Sequence, residues 1–281
     1  QRQMCIRDSK VTELKDRPSY VPEPNSYWSP AAAGLTPEQQ QVWEAAYRPK
    51  NEAFIEANLS GRELAEWKYQ RYMRDYLRCI RSVDDEVGRL IDYLEKNGLM
   101  ENTVIVYTSD QGFYMGEHGW FDKRFMYEES FRTPLIIRYP GGRQGEVCDR
   151  LVQNIDYAPT YLAAAGIEQP EYMTGLPLQP LCKGEEPRQW REDLYYHYYD
   201  YPAEHRVLRH DGVSDGRYKL IHFYDKDKDG NVVMREDELY DLEADPSEMH
   251  NIIGREDMAE VRDRLQKRLD EYRTQLAVDE Y

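Results

Sequence analysis

Apolar residues at Leu64, Trp67, Tyr72, Tyr76, Ile80, Val83, Val87, Leu90, Ile91 and Leu94 recur at three- and four-residue steps. That spacing stacks them on one face and predicts a long α-helix from about Ser60. Gly98 ends it, as a glycine just past a helix does. The period then shortens. Thr103-Val104-Ile105-Val106-Tyr107-Thr108 is a β-branched run that predicts a buried strand. A glycine-punctuated loop follows from Asp110 to about Glu129, then a second buried strand over Pro134–Tyr139, stopped by Pro140-Gly141-Gly142. Residues 155–165 read as helix, ending at Gly166. Helix, strand, long loop, strand, helix predicts an α/β domain with a largely parallel sheet. Ligands gather at the carboxyl ends of strands in such sheets, and Asp110 occupies one of those ends.

Proline and glycine cluster again around residues 170–190, and the pattern beyond them differs. Tyr195–Tyr199, Tyr218–Tyr224 and Val232–Met234 predict short antiparallel strands, and residues 256–276 a charged amphipathic helix covering one sheet face. A boundary near residue 185 divides the chain into domains of residues 10–185 and 186–281. Residues 17–35 read as irregular connection. Gln1–Ser9 are polar, lack the apolar stretch of a signal peptide, and read as a stray leader.

With 53 acidic and 37 basic side chains the net charge is −16, which disfavours nucleic acid and anionic membrane surfaces as partners. No run of about 18 apolar residues predicts a membrane span. The four cysteines are widely spaced and form no CxxC or Cys/His zinc pattern. Twenty-four tyrosines suit a polar cleft such as a carbohydrate site, although aromatic residues serve cores first. An anionic substrate would need a local cation and converging basic side chains.

The loop Thr108-Ser109-Asp110-Gln111-Gly112-Phe113-Tyr114-Met115-Gly116-Glu117-His118-Gly119-Trp120-Phe121-Asp122-Lys123 offers such groups. A carboxylate and an amide oxygen at a strand end are hard ligands, suited to Ca²⁺ or Mg²⁺ rather than zinc. Lys123 could bring an ammonium back to neutralise an anionic oxygen. A strand-capping Asx turn with Lys123 as a solvated surface charge accounts for the same residues, so both readings stay open at this point.

The stretch resembles the second metal-binding segment of the type I sulfatases, within the alkaline phosphatase superfamily. There a strand ends in Ser-Asp, followed by Asn, His or Gln and Gly, a Gly-Glu-His-Gly block, and a lysine thirteen residues after the Asp, as in Asp110 to Lys123. Val83–Leu90, Phe131–Ile137, Asp156–Thr160, Gly216–Ile221, Leu239–Leu242, Asp245–Glu248 and Asn251 match further family blocks, in order, across most of residues 60–280. The resemblance implies a partial alkaline-phosphatase-like mixed sheet with flanking helices. A small C-terminal antiparallel sheet, packed by a terminal helix, would follow. It implies Asp110 and Gln111 as calcium ligands, Lys123 as the contact to the sulfate or its bridging oxygen, and His118 as a catalytic or loop-bracing residue.

In that family the nucleophile is formylglycine, made from Cys or Ser in a C/S-x-P-x-R motif. No cysteine or serine of this sequence heads one, and the early Asp-Asp pair and a His-x-Pro-His segment are also missing. The expectation is a truncated, inactive C-terminal part of a sulfuric ester hydrolase, whose parent is exported or lysosomal. Tyr201–Val207 with Arg209-His210 looks like sulfatases acting on sulfated amino sugars, including N-acetylglucosamine-6-sulfatases, so His205, Arg206 and His210 become candidate contacts to a sulfated carbohydrate. Local strand and turn roles are an equal alternative for each.

Two rival functions remain: another phospho-hydrolase or transferase of the same superfamily, and a non-catalytic calcium-binding module. The second rests on Asp225-Lys226-Asp227-Lys228-Asp229-Gly230-Asn231 through Glu236, which fits an EF-hand loop by letter. The flanking runs predict strands, so Asp229-Gly230-Asn231 reads as a hairpin turn.

Overall fold

A computed structural model describes residues 35–201, 207–227 and 229–278. The chain forms two compact units, one running up to Asp92 with Met115–Phe121, the other comprising Tyr93–Tyr114 and Asp122–Tyr281.

The first unit is a helical hairpin. Helix α1 (Pro37–Ala57) starts at a capping box, with the Thr36 side chain accepting the Gln39 N–H and the Gln39 side chain accepting the Thr36 N–H, and Pro37 at the first turn. Helix α2 (Gly61–Lys96) runs back along it. Phe54 stacks on Trp67 at 4.0 Å, Arg71 donates to Asn51 at 3.2 Å, and the Tyr47 hydroxyl reaches Asp75 at 3.2 Å. Helix α2 matches the periodicity, and Gly98 takes the expected left-handed conformation at φ +65°. None of its residues is buried, and Leu77, Val83 and Leu90 are half exposed.

The second unit begins with strand β1 (Ile105–Thr108), continues through the loop and the one-turn helix α3 (Glu128–Phe131), and returns as β2 (Leu135–Arg138). β1 and β2 pair antiparallel, with Tyr107 opposite Ile136. This corrects the parallel expectation: a parallel pair needs a crossover helix, and only one helical turn lies between these strands. Neither strand is fully buried, and Ile136 is 66 % exposed, because the sheet has only two strands among the described residues.

Helix α4 (Tyr157–Ala164) follows a fully buried Asp156. That carboxylate accepts the N–H groups of Gln153 and Leu176 at 2.7 and 2.8 Å and pairs with Arg191. The Asp156–Thr160 block is thus a structural hub: Thr160 donates to the Asp156 carbonyl at 2.6 Å and accepts the Leu178 N–H at 2.8 Å.

Strands β3 (Leu194–Tyr198), β4 (Arg209–Ser214), β5 (Tyr218–Lys226) and β6 (Val232–Asp241) form one antiparallel meander. Alternation gives the sheet two faces. Val213, Leu220 and Leu239 pack against Leu265 and Leu269 of helix α5 (Ala259–Gln275), which covers that face as expected. Lys219, Phe223, Glu238 and Tyr240 point the other way, towards Phe125, Tyr127 and the first residue of α3, Glu128. The β5–β6 turn is a hairpin tied by Asp227, whose carboxylate accepts the N–H groups of Asp229 and Asn231 at 2.9 Å each. Strands flank it, so it is no EF-hand.

Candidate functional site

Asp110 stands two residues beyond the end of β1, after Ser109. One of its carboxylate oxygens accepts the Gln111 N–H at 3.0 Å, and the Ser109 hydroxyl donates to the Gln111 carbonyl at 2.8 Å. Among the described residues nothing hydrogen-bonds to the second Asp110 oxygen or to the Gln111 side-chain amide, and Asp110 is exposed. This half of the loop therefore presents two uncommitted hard oxygens.

Lys123 stands on the returning half. Its ammonium lies 3.8 Å from an Asp122 oxygen and keeps 39 % side-chain exposure, while Arg124 pairs with the same Asp122 carboxylate. The backbone on either side is unusual: Asp122 has φ +84° and Arg124 φ +121°. Non-glycine residues in these regions cost about 1–3 kcal/mol each and persist only where their surroundings hold them.

Ser130 holds both halves. Its carbonyl accepts the Gly112 N–H at 2.8 Å, and its hydroxyl accepts the Arg124 N–H at 3.1 Å. Ser130 is 6 % exposed, so these bonds are shielded from water. One turn of helix thus fixes the residues next to Gln111 and next to Lys123.

The C-terminal sheet anchors this turn. The Tyr196 hydroxyl donates to the Arg124 carbonyl at 2.8 Å. Phe125 stacks on His210 at 5.6 Å, Met126 is fully buried against Gly212, and the Tyr127 hydroxyl donates to Glu238 at 2.7 Å. A Cβ at position 212 would stand 2.5 Å from the Met126 sulfur and 2.5 Å from the Leu220 carbonyl, so glycine is needed there. Burial, reinforced by Glu238, raises the Tyr127 pKa far above its ordinary value, so the hydroxyl remains a donor.

His210 departs from its expected role. It is fully buried, its Nδ1 lies 2.8 Å from the Leu208 carbonyl, and burial pushes its pKa down to about 4. A neutral imidazole stacked among Phe125, Tyr196 and Tyr198 offers no surface to a sugar; it props the Lys123 half of the loop from behind. His205 and Arg206 lie outside the described residues. His118 belongs to the other compact unit, in a 3₁₀ turn at φ +54°.

The donor chemistry of Asp110 and Gln111 fits a hard cation, but two ligands are a fraction of the six to eight that calcium takes. The described residues contain no group of three or more His, Cys, Asp or Glu able to hold a metal by itself. A cleft of about 630 Å³ lined by Arg191, Arg217, Arg264 and Arg268 lies elsewhere, beside α5. Carboxylates of Asp156, Asp241, Asp215 and Asp193 already engage these guanidinium groups, so it has the chemistry of an ion-paired seam rather than an anion site.

Sequence pattern gave no sign of Ser130 or Arg124. Lys219 did leave one: it sits in register with Ile221 and Phe223, a charge on an apolar face.

A family model described as "Sulfatase" matches residues 23–167, and one described as "N-sulphoglucosamine sulphohydrolase, C-terminal" matches residues 116–275. An N-acetylglucosamine-6-O-sulfatase of Bacteroides thetaiotaomicron is 49 % identical over 241 residues, covering 85 % of this chain and 42 % of its own length. The multifunctional alkaline phosphatase superfamily protein PehA of Trinickia caryophylli is 32 % identical over 250 residues, 80 % of this chain and 47 % of its own. The solved structure of BT4656 in complex with its substrate D-glucosamine-2-N,6-O-disulfate superposes with a TM-score of 0.80 at 46 % identity, over 87 % of this chain and 49 % of that one. The chain therefore spans less than half the length of these relatives. With two family models each matching more than half of its residues, this chain belongs to the sulfatase family of the alkaline phosphatase superfamily.

Proposed function

We propose that this chain supplies the loop of a glycan sulfatase that grips the cation and the sulfate, with Asp110 and Gln111 as calcium ligands and Lys123 as the cationic contact. The carrying observation is the Ser130 clamp, in which one buried serine ties the residues adjoining Gln111 and Lys123 to a single helical turn. Sulfatases generally use a metal ion and a formylglycine nucleophile. A hard cation bound here would supply Lewis acidity at the sulfate oxygens. Lys123 orients the anionic group and offsets charge developing on the bridging oxygen as the ester bond breaks. His118 would brace the loop, and His205 and Arg206 would meet the sugar. The substrate class is a sulfated amino sugar, supported by the relative named as an N-acetylglucosamine-6-O-sulfatase and by the superposed complex with a disulfated glucosamine. A domain division near residue 185, with the four-stranded meander wholly on its C-terminal side, goes with this reading. No C/S-x-P-x-R motif occurs in the 281 residues, so the chain by itself should not turn over sulfate esters.

Terbium luminescence, with calcium as competitor, tests the assignment on the chain itself. Asp110→Asn should weaken binding at least tenfold, and Asp229→Asn in the hairpin should leave it unchanged. If the hairpin variant loses the ion and the loop variant keeps it, the loop is not the calcium site.

A further inference from the structure

Lys219 carries an ammonium into the interior, where its side chain is 0 % exposed. Its Nζ lies 2.7 Å from Glu128 Oε1 and 2.8 Å from Glu248 Oε1, and 5.3 Å from the centre of the Phe131 ring. Glu248 is also fully buried, and its other oxygen accepts the Glu128 N–H at 2.7 Å. Burial pushes the Glu248 carboxyl up, against the opposing pull of Lys219. Glu248 itself adopts φ +49°, a left-handed conformation that a side chain rarely takes without being held there. A fully buried ammonium–carboxylate pair joined by a second, quarter-exposed carboxylate is a poor source of stability, since apolar residues of the same volume often do as well. Such a cluster secures orientation instead.

Its geometry shows what is oriented. Glu128 opens α3, and the cluster holds both its carboxylate and its backbone N–H. Two residues on, Ser130 takes the Gly112 N–H with its carbonyl and the Arg124 N–H with its hydroxyl. A continuous set of bonds therefore leads from strand β5 through α3 to the residues adjoining Gln111 and Lys123.

We propose that Lys219 is a positioning residue: with Glu248 it seats α3 so that Ser130 sets the separation between the Asp110/Gln111 pair and Lys123. The inference rests on the loop being the cation and sulfate site, and it adds that the C-terminal sheet holds the loop in register through a buried ion cluster.

Residue-resolved amide exchange on the 281-residue chain tests it, alongside terbium binding. In Lys219→Met, which also leaves the buried Glu248 without its cation, exchange at the Gly112 and Arg124 amides should quicken at least tenfold more than at the α5 amides of Leu265 and Leu269. Terbium affinity should fall at least fivefold. A residue that merely stabilised the fold would speed all four amides together, and that result overturns the proposal, as does unchanged exchange at Gly112 and Arg124. Should Lys219→Met fail to fold, Glu128→Ala decides. It leaves the Lys219–Glu248 pair in place and removes only the side-chain link to α3, so it should speed the same two amides at least threefold, and unchanged rates there refute the idea. Asp110→Asn separates the two claims. If it binds terbium as tightly as wild type, the metal reading fails, while the exchange rates still decide the role of Lys219.

Discussion

Gly112 lies so close to Glu129 that a Cβ on it would stand 2.0 Å from the Glu129 carbonyl oxygen. The approach brings the Gly112 N–H within 2.8 Å of the Ser130 carbonyl, and the obstructing atom is backbone, which cannot swing aside. Gly112→Ala should therefore cost about 1–3 kcal/mol, the usual range for overpacking a tight contact, and detach the Asp110 half of the loop from α3. Urea unfolding with parallel terbium titration checks this. A variant as stable and as tightly binding as wild type would show that the close contact has no such role.

The elements that sequence pattern revealed are those with a clear apolar period or a compact apolar or aromatic run between turn residues: α2, β1, β2, α4, β3, the β5–β6 hairpin and α5. Pairing direction was not legible, because a short β-branched run looks alike in parallel and antiparallel sheets and only the connection between β1 and β2 decides. Strand β4, Arg209-His210-Asp211-Gly212-Val213-Ser214, was missed for a different reason. Its polar residues are stabilised by partners far away in sequence: Asp211 by Arg273, His210 by a stack of aromatic rings. Helix α1 had a readable start in Thr36-Pro37-Glu38-Gln39, but Pro49 inside it breaks the expected pattern. At the candidate site, the motif pointed to Asp110, Gln111 and Lys123 as the residues to propose, whereas the clamp through Ser130 depends on long-range geometry that no spacing encodes.

His210 makes stability depend on acidity. Burial holds its imidazole at about 4 against an ordinary value of 6.5. The unfolded chain takes up a proton near pH 6.5 that the folded core refuses until about pH 4, so stability falls as pH drops through that window and levels off below it. The loss amounts to about 3 kcal/mol, at about 1.4 kcal/mol per pKa unit. His210→Phe, which keeps a ring in the stack, should flatten the pH dependence of urea midpoints between pH 6.5 and 4 by up to one proton. An unchanged slope would mean that another group carries it.

Arg273 binds the buried Asp211 carboxylate with two hydrogen bonds of 2.7 and 2.8 Å, joining α5 to β4. Among the described residues, Arg273→Met leaves the buried Asp211 side chain with the Tyr195 hydroxyl alone, at 3.5 Å, and should cost about 3–5 kcal/mol. Replacing both residues, as Asp211→Leu with Arg273→Met, should recover most of that loss, because the destabilisation comes from an orphaned charge rather than from the pair itself. Chemical denaturation of the single and double variants settles the point: a double variant no more stable than the single one would show that the pair contributes net stability.

Arg124 offers a test of whether the loop holds Lys123 under strain. At φ +121° it adopts backbone that glycine tolerates far better, and its partly buried ion pair with Asp122 returns little, as such pairs commonly do. Arg124→Gly should leave the melting temperature unchanged or raise it, since relief of about 1–3 kcal/mol of backbone strain outweighs a pair of about 1 kcal/mol or less. The same change removes the guanidinium that pins Asp122, so Lys123 gains freedom, and the amides of Lys123 and Phe125 should exchange at least tenfold faster. A variant that melts clearly lower would place the energy in the ion pair. The positive φ would then be an inexpensive feature of the turn, and the Asp122–Arg124 pair a support of the fold rather than a restraint that holds the lysine in position.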